Sequence, residues 1–268
     1  MKKTTYILIG LLLAGLLLAG GVSLWVPLLM SERGNDVLVL EGDDVLKSLP
    51  AFHTVYVVHR SDTLPPSPDL AFGEMPLRVE ASESAGGSLR YPKDMEPFVS
   101  ADVQDSVLYI AFDFSRAALD ERYKDTYTLK PVCKMLGLSL PRNAVKLVDE
   151  MQGHNVELYN LERDMFSVAT AGTVVANYCH FGSLHADVFG LELSSGAIDD
   201  LYLNVEQLFG ISVDAAQFSI GTEHLSGGNG ICSYTVSPGE CREVLWNPLD
   251  EDASLDLRLQ QPARVEFE

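Results

Sequence analysis

The sequence predicts a mainly β protein, in which a β-solenoid with a β-rich N-terminal section follows one transmembrane helix. Three observations lead to this fold class. Residues 6–30 are uncharged, residues 53–114 contain alternating apolar and polar runs, and a triplet pattern recurs after Leu138. The recurrence has a period of about twenty residues, which is the length of a repeat in many solenoids.

The charge balance excludes some classes of partner. The chain has 268 residues, of which 19 are basic and 38 are acidic, for a net charge of -19. The first thirty residues contain Lys2 and Lys3 but no acid, so the rest of the chain is still more negative. Nucleic-acid binding needs positive charge facing the phosphates, and adsorption to anionic lipid needs a basic surface. We therefore expect no nucleic-acid partner.

Residues 6–30 have the composition of a membrane span. At about 1.5 Å per residue a helix over this range reaches roughly 37 Å, enough to cross a hydrocarbon core of about 30 Å. Lys2 and Lys3 precede the stretch, whereas five acidic residues follow it within residues 32–44. The positive-inside rule places residues 1–5 in the cytoplasm and the body outside. The lipid bilayer is the partner expected for residues 6–30.

A cleaved signal peptide is the alternative interpretation of the same segment. Its apolar region would be Tyr6–Leu18, with the small residues Ala19–Gly21 behind it, and cleavage would leave a secreted protein. The apolar run continues beyond these small residues, and Trp25 suits an anchor at the outer interface. We therefore favour an uncleaved anchor, followed by a lead-in over residues 31–52.

The section that follows the lead-in carries strand signals. Two strands and one β-hairpin are predicted from alternating apolar residues: Thr54–His59, Pro76–Ala81, and Val99–Phe114 with its turn at Gln104-Asp105. Residues 61–75 and 83–97 contain several Pro and Gly residues, so both are predicted to be loops.

Two short helices are predicted outside the membrane segment. Ser115 is a candidate N-cap for a helical turn over residues 116–124, because good helix formers follow it. A second helical pattern covers Val145–Met151. All remaining elements are expected to be strands.

Short apolar–polar–apolar triplets recur from about Leu138 onward. The segments that begin at Phe166, Leu191 and Ile211 resemble one another, and the first interval is longer than the second. One turn of a solenoid cannot bury its inward residues until the next turn stacks on it, which explains such a repeat. We predict a solenoid domain over residues 53–268, with an antiparallel sandwich as the alternative.

This layout resembles the bacterial envelope family of auto-transporter adhesins with a head GIN domain. The resemblance rests on the membrane-targeting segment, the hairpin VSADVQDSVLYIAF, the phrase Leu138-Ser139-Leu140-Pro141 and the Ser-Gly-Ala triplet, and it covers residues 53–225. It implies a right-handed parallel β-helix at the bacterial inner membrane with a periplasmic body, and it implies no catalytic residues. The sequence departs from the pattern at Tyr178–Phe181, which we interpret as an insertion that lengthens the first repeat.

Four cysteines follow the membrane segment, and an oxidising compartment would allow them to form disulfides. Cys232 and Cys241 flank the turn signal Ser237-Pro238-Gly239, so a hairpin there would bring the two sulfurs together. This pair is the candidate disulfide. Cys133 and Cys179 are better explained as buried apolar residues.

No metal site and no cofactor are predicted. Cys179, His180 and His185 are the nearest grouping of ligands, and they lack a fourth partner. The sequence contains no Walker loop, dinucleotide fingerprint, GxSxG or HExxH motif. Asp199 and Asp200 are the candidate catalytic carboxylates, because two carboxyl groups can act as acid and base in glycoside cleavage. A predicted turn at this position explains the same two residues without catalysis.

Tyr178, Tyr202 and Tyr234 are the candidate binding residues. A phenol needs a hydrogen-bonding partner, so these three rings are expected to reach solvent, where they can stack on a sugar. Other aromatic residues at the repeat spacing, such as Phe189 and Phe209, are mostly expected to be core residues.

Two classes of function fit these observations. The first is a non-enzymatic binding, adhesion or structural module of the envelope, whose partner is a glycan or an envelope protein. The alternative is a polysaccharide lyase or hydrolase on a β-helix scaffold, which rests on fold analogy. Residues 166–230 contain no Lys or Arg, which a lyase of acidic sugars would need, so the first class is favoured.

Overall fold

The structure, a computed structural model, describes residues 35–60, 69–70, 74–115, 118–123, 126, 128–151, 154–228, 231–260 and 264–267. The predicted anchor and signal segment, residues 6–30, lies outside these ranges. Within them, no helix is long and apolar enough to cross a membrane. The described chain is mainly β, as predicted, and its helical residues are two short 3₁₀ turns at Lys93–Met95 and Glu121–Tyr123. The second of these lies within the helical turn predicted after Ser115.

Ten strands make up the N-terminal section. They are β1 (Asn35–Leu40), β2 (Asp44–Leu49), β3 (Thr54–His59), β4 (Asp69–Leu70), β5 (Leu77–Ala81), β6 (Gly87–Pro92), β7 (Val99–Gln104), β8 (Val107–Phe112), β9 (Thr128–Cys133) and β10 (Leu136–Leu140). The predicted strands at Thr54–His59 and Pro76–Ala81 are confirmed by β3 and β5.

Nine strands follow. They are β11 (Lys146–Asp149), β12 (Val156–Tyr159), β13 (Glu162–Asn204), β14 (Gly210–Val213), β15 (Phe218–Gly227), β16 (Ile231–Val236), β17 (Cys241–Pro248), β18 (Ser254–Leu259) and β19 (Arg264–Phe267). The 43 residues of β13 pair in succession with β11, β12, β14 and β15, and the extended backbone is interrupted at Tyr178 and Gly196, where φ is 55° and 134°.

Most strands belong to one mixed sheet with the order β2-β6-β10-β5-β12-β13-β11-β3-β8-β7. Strands β14, β15, β17 and β19 extend it from β13. Two smaller sheets stand apart, β1-β9-β4 and β16-β18. The antiparallel pairs are β2 with β6, β6 with β10, and β7 with β8, and all of them lie in the N-terminal section.

Within the described residues, strands β11 to β19 pair with one another only in parallel. The two partners of each pair are separated by a nearly regular length of chain. Leu191 pairs with Ile211, which confirms the predicted alignment of these two segments. An antiparallel sandwich does not fit this register, because hairpins would reverse the direction of neighbouring strands.

The predicted alignment of Phe166 with Leu191 is wrong. A Cβ built at Gly182 would lie 2.6 Å from the carbonyl oxygen of Asp164, and one at Gly190 would lie 2.8 Å from Thr173 Oγ1. The chain therefore returns to the same position sooner here than in the later repeats. The ring of Phe166 stacks on that of Phe181, 5.9 Å between centroids. Tyr178–Phe181 is thus part of a shorter repeat and does not lengthen one.

The hairpin prediction is confirmed, with a one-residue shift. Strands β7 and β8 pair antiparallel, and the connecting residues Asp105 and Ser106 have φ values of 49° and 64°. Two consecutive positive φ values identify the primed turn that matches the twist of a β-hairpin.

Two other local predictions are wrong. Residues 87–92, expected in a loop, form β6, and residues 146–149, expected in a helix, form β11. Gly86 is required by close packing, because its Cβ would lie 2.4 Å from the Leu49 carbonyl oxygen. In β11 the neighbours β3 and β13 supply parallel partners on both sides, and such pairing overrides a weak helical preference.

One continuous core runs through the described chain. It results from alternation along the strands, because every second side chain points inward. The largest fully buried side chains include Phe52, Phe112, Phe114 and Phe166. Burial of each such ring contributes about 2–3 kcal/mol relative to an exposed ring.

The candidate disulfide is not formed. None of the four cysteines is joined in a disulfide in the described chain, and all four are buried. Cys232 lies in β16 opposite Leu255, whereas Cys241 lies in β17 opposite Ile220. The turn between them does lead to a new strand, but the two strands join different sheets and do not pair as a hairpin. Cys133 and Cys179 are buried, as predicted for apolar packing residues.

Candidate binding face

The outward side of the parallel strands carries a group of aromatic and polar side chains that we call the outer face. Its members lie on successive passes of the chain: His185, Asp187 and Phe189, then Asp200, Tyr202, Asn204 and Phe209, then His224. Alternation places them there, since their neighbours Leu184, Ala186, Val188, Leu201 and Leu203 are buried.

Three rings form a ladder across the strands. Tyr202 stacks on His185 with 4.2 Å between ring centroids and an interplanar angle of 4°, and on His224 with 4.2 Å and 11°. In-register parallel pairing produces this stack, because Tyr202 and His224 are direct strand partners. Both faces of the Tyr202 ring are therefore covered. A ligand can reach the edges of the ladder, whereas the strand partner of His224 on the side away from Tyr202 is Leu245.

Hydrogen bonds fix the polar members of the outer face. His224 Nε2 lies 3.1 Å from Asp200 Oδ1, and Asn204 Nδ2 donates to Asp187 Oδ1 at 3.2 Å. Amide and carboxylate groups held in this way keep further donors and acceptors free for a ligand. The polar pair Asp187–Asn204 lies between the ring ladder and a second aromatic pair.

That second pair is Phe189 and Phe209, whose rings stack with 5.1 Å between centroids and an interplanar angle of 8°. The two side chains are exposed, 47% for Phe189 and 82% for Phe209. The free face of Phe209 is an unusual feature, because a stacked phenylalanine pair normally lies in the core. The expectation that Phe189 and Phe209 are core residues is wrong.

The structure separates the three predicted binding tyrosines. Tyr202 lies in the outer face and is half-buried. Tyr178 is 59% exposed, as expected, but its ring packs edge-on against Tyr159 at 5.7 Å, away from the ladder. Tyr234 is only 3% exposed, so it cannot meet a ligand at the surface. Its strand β16 turns this side chain inward.

Tyr234 belongs to a buried acidic cluster with Glu223, Glu240 and Cys241. The Tyr234 hydroxyl lies 3.4 Å from Glu240 Oε1, and the Ser237 backbone N–H donates to Glu240 Oε2. The Tyr234 hydroxyl and the Cys241 thiol also lie near the Glu223 carboxyl group, but the cost of burial outweighs these contacts. Burial, reinforced by the Glu240 charge, raises the pKa of Glu223 to about 8. Burial also raises the pKa of Glu240.

Asp199 and Asp200 lie in strand geometry within β13, and the predicted turn is absent there. Asp200 contacts His224, while the Asp199 carbonyl oxygen lies against Gly221, where a Cβ would be 2.4 Å away. Both residues are accessible to solvent and are flanked by buried Ile198 and Leu201, so the inward–outward alternation is interrupted at this pair. The catalytic role of this pair in glycoside cleavage stays a prediction.

Sequence reasoning missed Asp187, Asn204 and His224, and it considered His185 only as a metal ligand. The signal that identifies them is the spacing between stacked partners, which is shorter from His185 to Tyr202 than from Tyr202 to His224. A sequence comparison that assumes one fixed repeat length does not align these residues with their stacking partners. Among the described residues, no group of three or more His, Cys, Asp and Glu side chains could hold a metal ion.

No family model and no curated protein matches this chain. Solved structures with a similar course of chain include a candidate adhesin from Bacteroides fragilis, with 11% identity, a TM-score of 0.40, and coverage of 86% of this chain and 100% of that one. A candidate cell adhesion protein from Clostridium sporogenes has 10% identity, a TM-score of 0.27, and coverage of 82% and 100%.

A third solved structure is a candidate lipid-binding protein from Parabacteroides distasonis, with 11% identity, a TM-score of 0.36, and coverage of 86% and 100%. Further matches include candidate adhesins from Parabacteroides merdae and Parabacteroides distasonis. At these TM-scores no site or ligand follows from them.

Proposed function

We propose that this protein is a non-enzymatic binding module of the bacterial envelope, and that its outer face binds a neutral glycan. The observation that carries the proposal is the order of groups on that face. The hydrogen-bonded pair Asp187–Asn204 lies between a ring ladder and the exposed stacked pair Phe189–Phe209. A sugar ring has apolar faces and a rim of hydroxyl groups. The aromatic rings can pack against the apolar faces, and the Asp187–Asn204 pair can hydrogen-bond to the hydroxyls.

The charge of this region supports a neutral ligand. No Lys or Arg occurs in residues 166–230, whereas the outer face itself carries Asp187 and Asp200. An acidic polymer would meet like charge over the whole face, at a cost that low salt would increase. A neutral polysaccharide has no such penalty.

Binding can be tested with the full chain in a polyoxyethylene detergent, which contains neither sugar nor phosphate. The protein is applied to a panel of neutral and acidic polysaccharides, and retention and chain length are measured together. We expect retention on a neutral glycan with no chain shortening. Shortened chains would support the alternative of a lyase or hydrolase, and retention restricted to acidic glycans would contradict the proposed chemistry.

Variants connect the binding to the outer face. Phe209→Ala removes the exposed ring and should weaken glycan binding about tenfold, since contact with one aromatic face is worth about 1–2 kcal/mol. Tyr109→Ala is the matched control, because Tyr109 is also exposed and stacked, on Tyr56, but lies in the N-terminal section. Equal losses in both variants would point to a general effect on the fold.

We also infer that strands β11–β19 form a right-handed β-solenoid. The support is the parallel register with a step of about twenty residues, together with the right-handed preference of parallel crossover connections. Placement in the bacterial inner membrane, with the body in the periplasm, rests on the uncharged stretch at residues 6–30.

The membrane placement has a direct test. After carbonate extraction of bacterial membranes, the full-length chain should stay in the pellet, and added protease should digest its body only when the periplasm is opened. A soluble chain that begins after Gly21 would instead identify the segment as a cleaved signal peptide.

A further inference from the structure

A cleft of about 860 Å³ lies in the N-terminal section, far along the chain from the outer face. One side comes from the small sheet, with Val39 of β1 and Val132 of β9, and the other from β5, β6 and β10. Its volume falls in the range of sites for small ligands, about 300–1,000 Å³. None of the residues predicted from the sequence to bind or catalyse lines it.

Two arginines face the cleft on either side of a glycine. Gly137 of β10 pairs with Arg78 of β5 and with Arg90 of β6, so the three residues form one row across the strands. A Cβ built at Gly137 would lie 3.4 Å from Arg90 Cβ, so any larger residue would fill the space between the arginines. The glycine leaves room for a ligand group beside both guanidinium groups.

Arg78 is held in place. Its guanidinium lies 3.8 Å from the centre of the Tyr159 ring, and its Nε lies 2.7 Å from Glu80 Oε1. These two contacts fix the orientation of the guanidinium before any ligand arrives, which lowers the entropic cost of binding.

The Arg90 guanidinium is available to bind a ligand, whereas the Arg78 guanidinium is already paired with Glu80. Among the described residues, no hydrogen bond or ion pair engages the Arg90 guanidinium, and its side chain is exposed. Lys134, which also lines the cleft, is exposed as well. Guanidinium groups bind carboxylate and phosphate through paired hydrogen bonds, so the row supplies a site for one anionic group.

The acidic lining limits the charge that such a ligand can carry. Glu74 and Glu80 are engaged by Lys130 and Arg78, but Glu41 and Asp44 also line the cleft and add negative charge. A ligand with several anionic groups would meet more repulsion from these carboxylates than a ligand with one anionic group. The exposed side chains of Val39 and Met135 add apolar contact for the rest of the molecule.

We propose that this cleft binds a small molecule with one carboxylate or phosphate group, held by Arg90 with Arg78 beside it. The inference does not rest on the glycan proposal, because it uses other residues and opposite charge. Two probes distinguish the sources of the anion: glucuronate carries a carboxylate, and glycerol 3-phosphate carries a phosphate. Glucose and glycerol are their neutral counterparts.

The test is calorimetric titration of the full chain in polyoxyethylene detergent. We expect binding of glucuronate, glycerol 3-phosphate or both, weakened by added salt, and none of glucose or glycerol. Arg90→Gln should weaken it at least about tenfold, as expected for a lost charge-assisted hydrogen bond. Arg242→Gln, at another exposed arginine, is the matched control and should leave the affinity within about twofold.

A second variant distinguishes loss of the binding space from a general effect of charge. Gly137→Val fills the space between the arginines without changing charge and should abolish binding, with the β-sheet circular dichroism retained. Phe209→Ala should leave it unchanged, which separates this cleft from the outer face. Absence of binding by both anions at millimolar concentration, or equal affinity of Arg90→Gln and wild type, would overturn the proposal.

Discussion

Glu223 illustrates how one residue can make stability depend on pH. It is paired in the sheet with Leu201 and Val244, both buried, so its carboxyl group points into the core. The folded pKa of about 8 lies above the ordinary value of 4.5. Between these two values the folded chain retains a proton that the unfolded chain has released, so unfolding becomes easier as pH rises.

We therefore predict that the free energy of unfolding falls between pH 4.5 and pH 8, with Glu223 contributing up to about 1.4 kcal/mol per pH unit. Glu223→Gln removes the titrating group and should flatten this decline, so the variant should be the more stable protein at pH 8. Denaturant titration at several pH values measures it. Glu251→Gln, at an exposed carboxylate, is the control, and an unchanged slope in Glu223→Gln would contradict the assignment.

Backbone packing at single glycines gives a second prediction at this scale. Gly196 has φ of +134°, and a Cβ there would lie 1.9 Å from the carbonyl oxygen of Cys179. At Gly210 a Cβ would meet nothing within 4 Å. Gly196→Ala should lower the free energy of unfolding by more than about 2 kcal/mol, and Gly210→Ala by much less. Thermal unfolding compares the two, and similar melting temperatures would contradict the structure.

At the scale of elements, the turn of the β7–β8 hairpin is a point where a substitution should change stability. Asp105 and Ser106 both adopt positive φ, which costs energy for a residue with a Cβ. Ser106→Gly supplies the residue that this turn prefers, and we expect a stabilisation of about 0.5–1 kcal/mol in denaturant titration.

The matched control for the turn is Ser100→Gly, at the second residue of β7. There glycine adds freedom to the unfolded chain without relieving strain, so this variant should be less stable than wild type. Stabilisation by both substitutions would show that the turn is not the cause.

The whole molecule should unfold progressively from its C-terminal end. β13 has strand partners in β11, β12, β14 and β15, whereas β19 pairs with β17 and β18 pairs with β16 within the described chain. In a stacked array each repeat is stabilised by its neighbours, so the end repeat opens at the lowest free energy. Backbone amides in β18 and β19 should exchange with deuterium faster than those in β13, and equal protection would contradict this.

The sequence by itself determined the properties that depend on local alternation. Period-two patterns and turn residues are enough to place β3, β5 and the β7–β8 hairpin, and to predict parallel repeats such as the one that joins Leu191 to Ile211. The mainly β composition followed from the same signals, because side-chain alternation along a strand is a local property.

Only the tertiary structure decided which side of each strand faces solvent and which residues of neighbouring repeats meet. Tyr202 lies in the ladder, whereas Tyr234 is buried beside Glu240. Phe209 is exposed while Phe218 is buried. The step between strand partners also varies, since Val156 meets Val174 after a shorter stretch of chain than Ile231 meets Ser254. A shift of one residue turns every side chain of a strand to the other face. That register is set by packing between repeats, which no single repeat encodes.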